Sequence, residues 1–104
     1  MKHSSPEALE ALDFAWDDES GFLGLLRSGQ FSSSLAEEYL GVLNSVEIPE
    51  GEELHPDFVR LTWFTPLFME WQIDRAVERG ANKQELVDAI DRIRERIMEI
   101  LGTP

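Results

Sequence analysis

The residues of this sequence that could carry out chemistry are carboxylates and two histidines. The densest carboxylate group is the run Asp17, Asp18 and Glu19, with Asp13 upstream. Such oxygens suit Mg²⁺ or Ca²⁺, but the glycine and alternating ligands of a calcium loop are missing, and helix capping explains these residues without an ion. An acid and base pair of the glycosidase type would need a cleft, which a small helical chain rarely forms. We therefore expect no metal, no cofactor and no catalytic residue.

Other signatures of catalysis and ligand binding are missing from the sequence. His3 lies in a stretch, residues 1–5, that we expect to be frayed, and we interpret His55 as a helix-cap or loop residue because no second ligand stands nearby. The chain has no cysteine, which excludes a thiolate metal site. With a net charge of −12 the chain would repel nucleic acid. No secretion signal is recognisable at the N-terminus, so we expect a cytoplasmic protein.

Capping residues, followed by apolar residues at helical spacing, divide most of the chain into helices. Predicted helices begin after Ser5, after Asp17 or Asp18, after Ser34 and after Asn82. The second of these contains Gly21 and Gly24, which should weaken it. Residues 47–56, EIPEGEELHP, have too little apolar content to bury and are predicted to form an acidic loop. No segment alternates like a strand, so the sequence predicts one all-α domain over residues 1–104, a bundle of about five helices.

The stretch LTWFTPLFMEWQ, residues 61–72, is the most aromatic part of the chain. Charged residues flank it too closely for a membrane span. Because it is apolar on most sides, we predict a central helix surrounded by the others, with a cost of about 3–5 kcal/mol for truncating Trp71. The alternative is an exposed groove for a partner. Pro66 should kink or break this helix, so that either 57–79 is one bent helix or a new helix begins at Pro66 after one that ends near Trp63.

Negative charge is concentrated in the first half of the chain. Residues 1–59 contain thirteen acidic and two basic residues, a net charge of −11, whereas residues 60–104 have a net charge of −1. A concentrated negative field would recruit a cationic partner, although solubility alone also explains it. We predict that three acidic groups face this partner. They are Asp17, Asp18 and Glu19; Glu37 and Glu38; and Glu47, Glu50, Glu52 and Glu53.

In its size, acidity, lack of cysteine and helical character, the chain resembles the small immunity proteins of bacterial toxin systems, including contact-dependent growth inhibition. That resemblance implies a non-catalytic inhibitor that covers the active or substrate-binding surface of a cationic toxin, such as a nuclease, with carboxylates and aromatics. A helical adaptor or homo-oligomeric structural protein is the alternative, with Trp63, Trp71 and the apolar stripe of residues 86–101 as a homodimer seam. A small enzyme would require a cleft lined by residues 17–19 and His55.

Overall fold

The computed structural model describes residues 1–104 as seven helical segments with no strand. The segments are α1 (Pro6–Phe14), α2 (Phe22–Arg27), α3 (Ser33–Ser45), α4 (Pro56–Thr62), α5 (Thr65–Trp71), α6 (Ile73–Glu78) and α7 (Lys83–Leu101). The long α7 packs mainly against α3 and α5, and α1 packs against α4 and α3. Their buried apolar residues form one continuous core. The predicted all-α domain is confirmed. None of the helices is both long enough and apolar enough to cross a membrane.

The helix caps follow the sequence at two of the predicted positions. The Ser5 hydroxyl accepts a hydrogen bond from the Ala8 amide at 3.1 Å, and Asn82 Oδ1 accepts one from the Glu85 amide at 3.0 Å. The prediction for α3 was wrong by two residues. Its cap is Ser32, whose hydroxyl accepts from the Leu35 amide at 3.2 Å, because Ser32 is the last residue with extended backbone before the helix.

The chain bends between α4 and α5. The backbone of residues 63 and 64 stays in the helical region, so the two segments are joined by a kink. Pro66 lies in the first turn of α5, where its missing N–H costs no helical hydrogen bond, and the Phe68 amide donates to the Phe64 carbonyl at 2.9 Å. A further interruption at Gln72 separates α6. The three segments thus follow one bent helical path, so the first of the two predicted arrangements is the closer one.

The prediction that residues 61–72 lie wholly in the core was wrong. One face of this stretch is buried, through Leu61, Thr62, Thr65, Phe68 and Met69. On the other face Trp63 is 57% exposed, Leu67 41% and Trp71 64%. These three residues are spaced by four, so they share one side of the helical path, and the neighbouring helices cover only the opposite side. Truncating Trp71 therefore removes little buried surface.

The apolar stripe of α7 lies inside the core. Its buried residues are Leu86, Ile90, Ile93 and Ile97. They face α3 and α5, the helices against which α7 packs. Because the fold already uses this stripe, it is not available as part of a homodimer seam.

The N-terminal residues 1–5 are held in place, which corrects the expectation that they fray. The Met1 ammonium donates to the Ser45 carbonyl at 2.7 Å, and the Met1 carbonyl accepts from the Glu47 amide at 2.7 Å. The His3 amide donates to the Glu47 carbonyl at 3.0 Å. This backbone pairing joins segments more than 40 residues apart, so helical spacing in the sequence does not reveal it.

The two histidines meet where the N-terminal segment reaches α4. His3 is fully buried, with its ring edge against Phe58 at a centroid distance of 5.3 Å. Its Nε2 accepts a hydrogen bond from the His55 amide at 2.9 Å. The predicted cap role of His55 is confirmed, since its Nδ1 accepts from the Asp57 amide at 3.1 Å at the start of α4.

Candidate functional site

A tight turn after α1 positions the first acidic group. The sequence predicted that Asp17 or Asp18 caps α2, and this prediction was wrong. Asp17 Oδ2 instead accepts hydrogen bonds from the amides of Glu19 at 3.2 Å and Ser20 at 2.9 Å. The residue before α2 is Gly21, which makes no side-chain cap. The Asp17 carboxylate therefore stabilises the turn itself, and its neighbours in the acidic run project from that turn into solvent.

The backbone of the first turn of helix α2 lies directly against the backbone of the tight turn that follows α1. The Ala15 carbonyl accepts from the Leu23 amide at 2.7 Å and from the Gly24 amide at 3.2 Å. A Cβ atom on Gly24 would lie 1.8 Å from the Asp17 carbonyl oxygen, and one on Gly21 would lie 2.3 Å from the Phe14 carbonyl oxygen. Both glycines are thus required by the close approach of two backbone segments, a role that sequence inspection missed.

An apolar pocket of about 180 Å³ lies between α1, the start of α2 and α3. Its lining residues are Ala11, Phe14, Ala15, Ser20, Gly21, Phe22, Leu35, Glu38, Tyr39 and Val42. Phe14 is 57% exposed although it lines this pocket, and Glu38 is exposed beside it. A shallow depression on the other side of Phe14 is lined by Glu10, Asp13, Trp16 and Asp17. Phe14 is therefore a large apolar side chain in contact with solvent and flanked by carboxylates.

Tyr39 gives the pocket a buried polar group that does not titrate near neutral pH. Its hydroxyl lies 3.0 Å from Thr65 Oγ1, and both residues are buried. Burial raises the pKa of Tyr39 far above its ordinary value, and the hydrogen bond to Thr65 lowers it by a smaller amount. The hydroxyl therefore stays neutral and serves to hold α3 against α5.

The three predicted acidic groups do not form one site. Leu35 and Phe14 line the same pocket, while Glu47 at the other end of α3 pairs with the N-terminal segment that precedes α1. The helices α1 and α3 are thus antiparallel, and the thirteen residues of α3 span about 20 Å. Residues 17–19 and 37–38 lie at one end of this pair, which we call the acidic end. Residues 47–53 lie at the opposite end.

Several of the predicted carboxylates already have partners within the chain. Asp18 pairs with Arg27 at 3.0 Å, and the Arg27 guanidinium carbon lies 5.9 Å from the Trp16 ring centroid. Glu37 pairs with Arg92 of α7 at 2.5 Å. Glu19 and Glu38 form no ion pair, so they are the carboxylates of the acidic end that remain free for a partner.

A second exposed apolar surface lies along residues 63–71 and the end of α7. It comprises Trp63, Leu67, Trp71 and Met98, and we call it the aromatic surface. A hollow of about 330 Å³ separates the α5 part of this surface from the end of α7. Arg94 pairs with both Glu70 and Asp91 at the edge of this hollow. The spacing of four between Trp63, Leu67 and Trp71 indicated in the sequence that they share one face, but not that this face is exposed.

The arrangement does not assemble a cleft from residues 17–19 and His55. His55 lies beside His3 at the N-terminal end of α1, and the acidic run follows the C-terminal end of α1. No group of three or more histidine, aspartate or glutamate side chains is placed to hold a metal ion. Comparison with protein-family models, with curated proteins and with solved structures finds no match to this chain.

Proposed function

We propose that this protein is a non-catalytic inhibitor of a cationic protein, such as a toxin neutralised by its immunity protein, and that it covers the partner's active or substrate-binding surface. The observation that supports this most directly is Phe14, an exposed aromatic residue beside an apolar pocket with carboxylates on both sides. Protein interfaces combine apolar anchors near the centre with a polar rim, and aromatic residues are enriched among the residues that dominate affinity.

The charge distribution supports a cationic partner. Residues 1–59 carry a net charge of −11, and Glu19 and Glu38 are unpaired at the acidic end. A concentrated field of one sign raises the rate of encounter with an oppositely charged protein. In this proposal Phe14, Glu19 and Glu38 make contact. The distant carboxylates of residues 47–53 act at long range, mainly on the association rate.

The test is binding to the purified product of the gene adjacent to this one, measured by biolayer interferometry at low and high salt. Phe14→Ala and Glu38→Gln should mainly accelerate dissociation, because they remove contacts. A triple variant, Glu50→Lys, Glu52→Lys and Glu53→Lys, should mainly slow association and reduce its dependence on salt. All variants should keep the helical circular dichroism of the wild type, because the substituted residues are exposed.

Two results would contradict the proposal. If the wild-type protein does not bind the neighbouring gene product, that product is not its partner, and the inhibitor function is excluded for that pair. Binding by Phe14→Ala with wild-type kinetics would show that the acidic end is not the contact surface.

A further inference from the structure

We infer that the aromatic surface is the site where a second copy of this chain binds, forming a symmetric dimer. Trp63 and Trp71 are 57% and 64% exposed, and Leu67 lies between them at one helical turn from each. Met98 of α7, 48% exposed, continues the surface. Large apolar side chains that lie next to one another in solvent mark an interaction site in a way that scattered single ones do not.

The exposed apolar area is large enough to form the centre of an interface. An aromatic side chain buries roughly 150–250 Å² when it is fully covered, so the two exposed indoles together offer roughly 200–300 Å². Leu67 and Met98 add to this, which gives the surface the size of the largest apolar patch on a typical monomeric protein, roughly 300–600 Å², and such patches are often functional. It is roughly half of the 800 Å² per partner of a standard interface, so polar residues around it would supply the rest.

Charge favours a second copy over a cationic partner at this surface. The surface lies within residues 60–104, whose net charge is −1, and Glu70, the acidic side chain that lines its hollow, is paired with Arg94. Two copies can therefore approach through this surface while their strongly acidic first halves lie elsewhere. Because of this pairing, the Glu70 carboxylate is not free to select a cation at the hollow.

The shape of the surface is compatible with two-fold symmetry. A symmetric dimer needs a projecting part and a receiving part on the same surface, because each copy uses both. Trp71 projects into solvent, and the hollow lined by Trp63, Leu67 and Met98 lies beside it without Trp71 among its lining residues. Residues spaced by four form a ridge, and two such ridges can interdigitate when helices cross. In the dimer, Trp71 of each copy lies against the hollow of the other.

This inference does not depend on the proposed inhibitor function, since it concerns a different surface. The pocket around Phe14 lies between α1, α2 and α3, none of which carries the aromatic surface. The pocket around Phe14 and the hollow of the aromatic surface share no lining residue, so a substitution in one leaves the other unchanged.

Sedimentation equilibrium of the full chain, from micromolar to sub-millimolar concentration, tests the inference. Wild type should show a monomer and dimer equilibrium that shifts to the dimer at high concentration. Trp71→Ala and Leu67→Gln should each weaken the dimer by about tenfold to a hundredfold, as central apolar residues of an interface do. Phe14→Ala is the matched control, because Phe14 is as exposed as Trp63 but lies outside the surface, and its dimer should match wild type.

Salt provides a second measurement that separates the two kinds of partner. Association of two chains that each carry −12 should strengthen as salt screens their repulsion, whereas association with a cationic protein weakens. A wild type that stays monomeric at all concentrations would overturn the inference. So would a dimer that Trp71→Ala and Leu67→Gln leave unchanged, or one that salt weakens.

Discussion

Replacing Gly24 by alanine is the most informative single change in this protein, because sequence and structure predict opposite signs. Alanine is favoured over glycine inside a helix by about 1 kcal/mol, so the sequence of α2 alone predicts stabilisation. In the fold, the added Cβ would lie 1.8 Å from the Asp17 carbonyl oxygen, 2.4 Å from the Asp17 carbonyl carbon and 2.9 Å from the Asp18 Cα. All three atoms belong to the backbone, so no side-chain rotation can relieve the clash.

The expected loss of stability follows from the contacts that must move. Overpacking of this kind costs about 1–3 kcal/mol or more. Separating the two segments also weakens the hydrogen bonds that the Ala15 carbonyl accepts from the Leu23 and Gly24 amides, at about 0.5–1.5 kcal/mol each. The higher helix propensity of alanine offsets about 1 kcal/mol of this loss. The net destabilisation of Gly24→Ala should be about 1–5 kcal/mol, or a fall of roughly 4–40 °C in melting temperature.

Chemical denaturation followed by circular dichroism measures this change, and Gly41→Ala is its control. Gly41 lies inside α3, and a Cβ there would meet no atom within 4 Å, so only helix propensity acts. Gly41→Ala should therefore stabilise the protein by about 0.5–1 kcal/mol. If Gly24→Ala is as stable as the wild type or more stable, the backbone contact between α2 and the turn after α1 is not formed as described.

Two further predictions concern the core and its edge. Phe68→Ala should destabilise the fold by about 3–5 kcal/mol because Phe68 is buried. Trp71→Ala should cost only about 0.5–1.5 kcal/mol, the value of the contact between Trp71 and Phe64. Equal losses of stability for the two variants in urea unfolding would contradict this assignment. Burial raises the pKa of Tyr39, so the folded state keeps the Tyr39 proton while the unfolded state releases it above about pH 10. The stability that Tyr39 contributes is complete below that pH and falls as the pH rises further. The free energy of unfolding, measured between about pH 8 and pH 11, should therefore decline more steeply for wild type than for Tyr39→Phe. Parallel curves for the two proteins would refute the effect.

The sequence was sufficient for features that depend on residues close together in the chain. Ser5 and Asn82 cap their helices through amides three residues away, and His55 caps α4 through an amide two residues away. The buried stripe of α7 follows from its own spacing of three and four. The kink just before Pro66 follows from the clash of the proline ring with the preceding turn.

The sequence by itself also determined the class of the fold and the concentration of negative charge in residues 1–59, since both are properties of composition and local pattern. Only the tertiary structure decided which residues are free to act. It placed residues 47–53 away from the acidic end, paired Glu37 with Arg92, and left Trp63 and Trp71 in solvent. An aromatic residue has the same helical spacing whether a neighbouring helix covers it or not. Burial and ion pairing depend on segments distant in the chain, and these meet only when the helices pack.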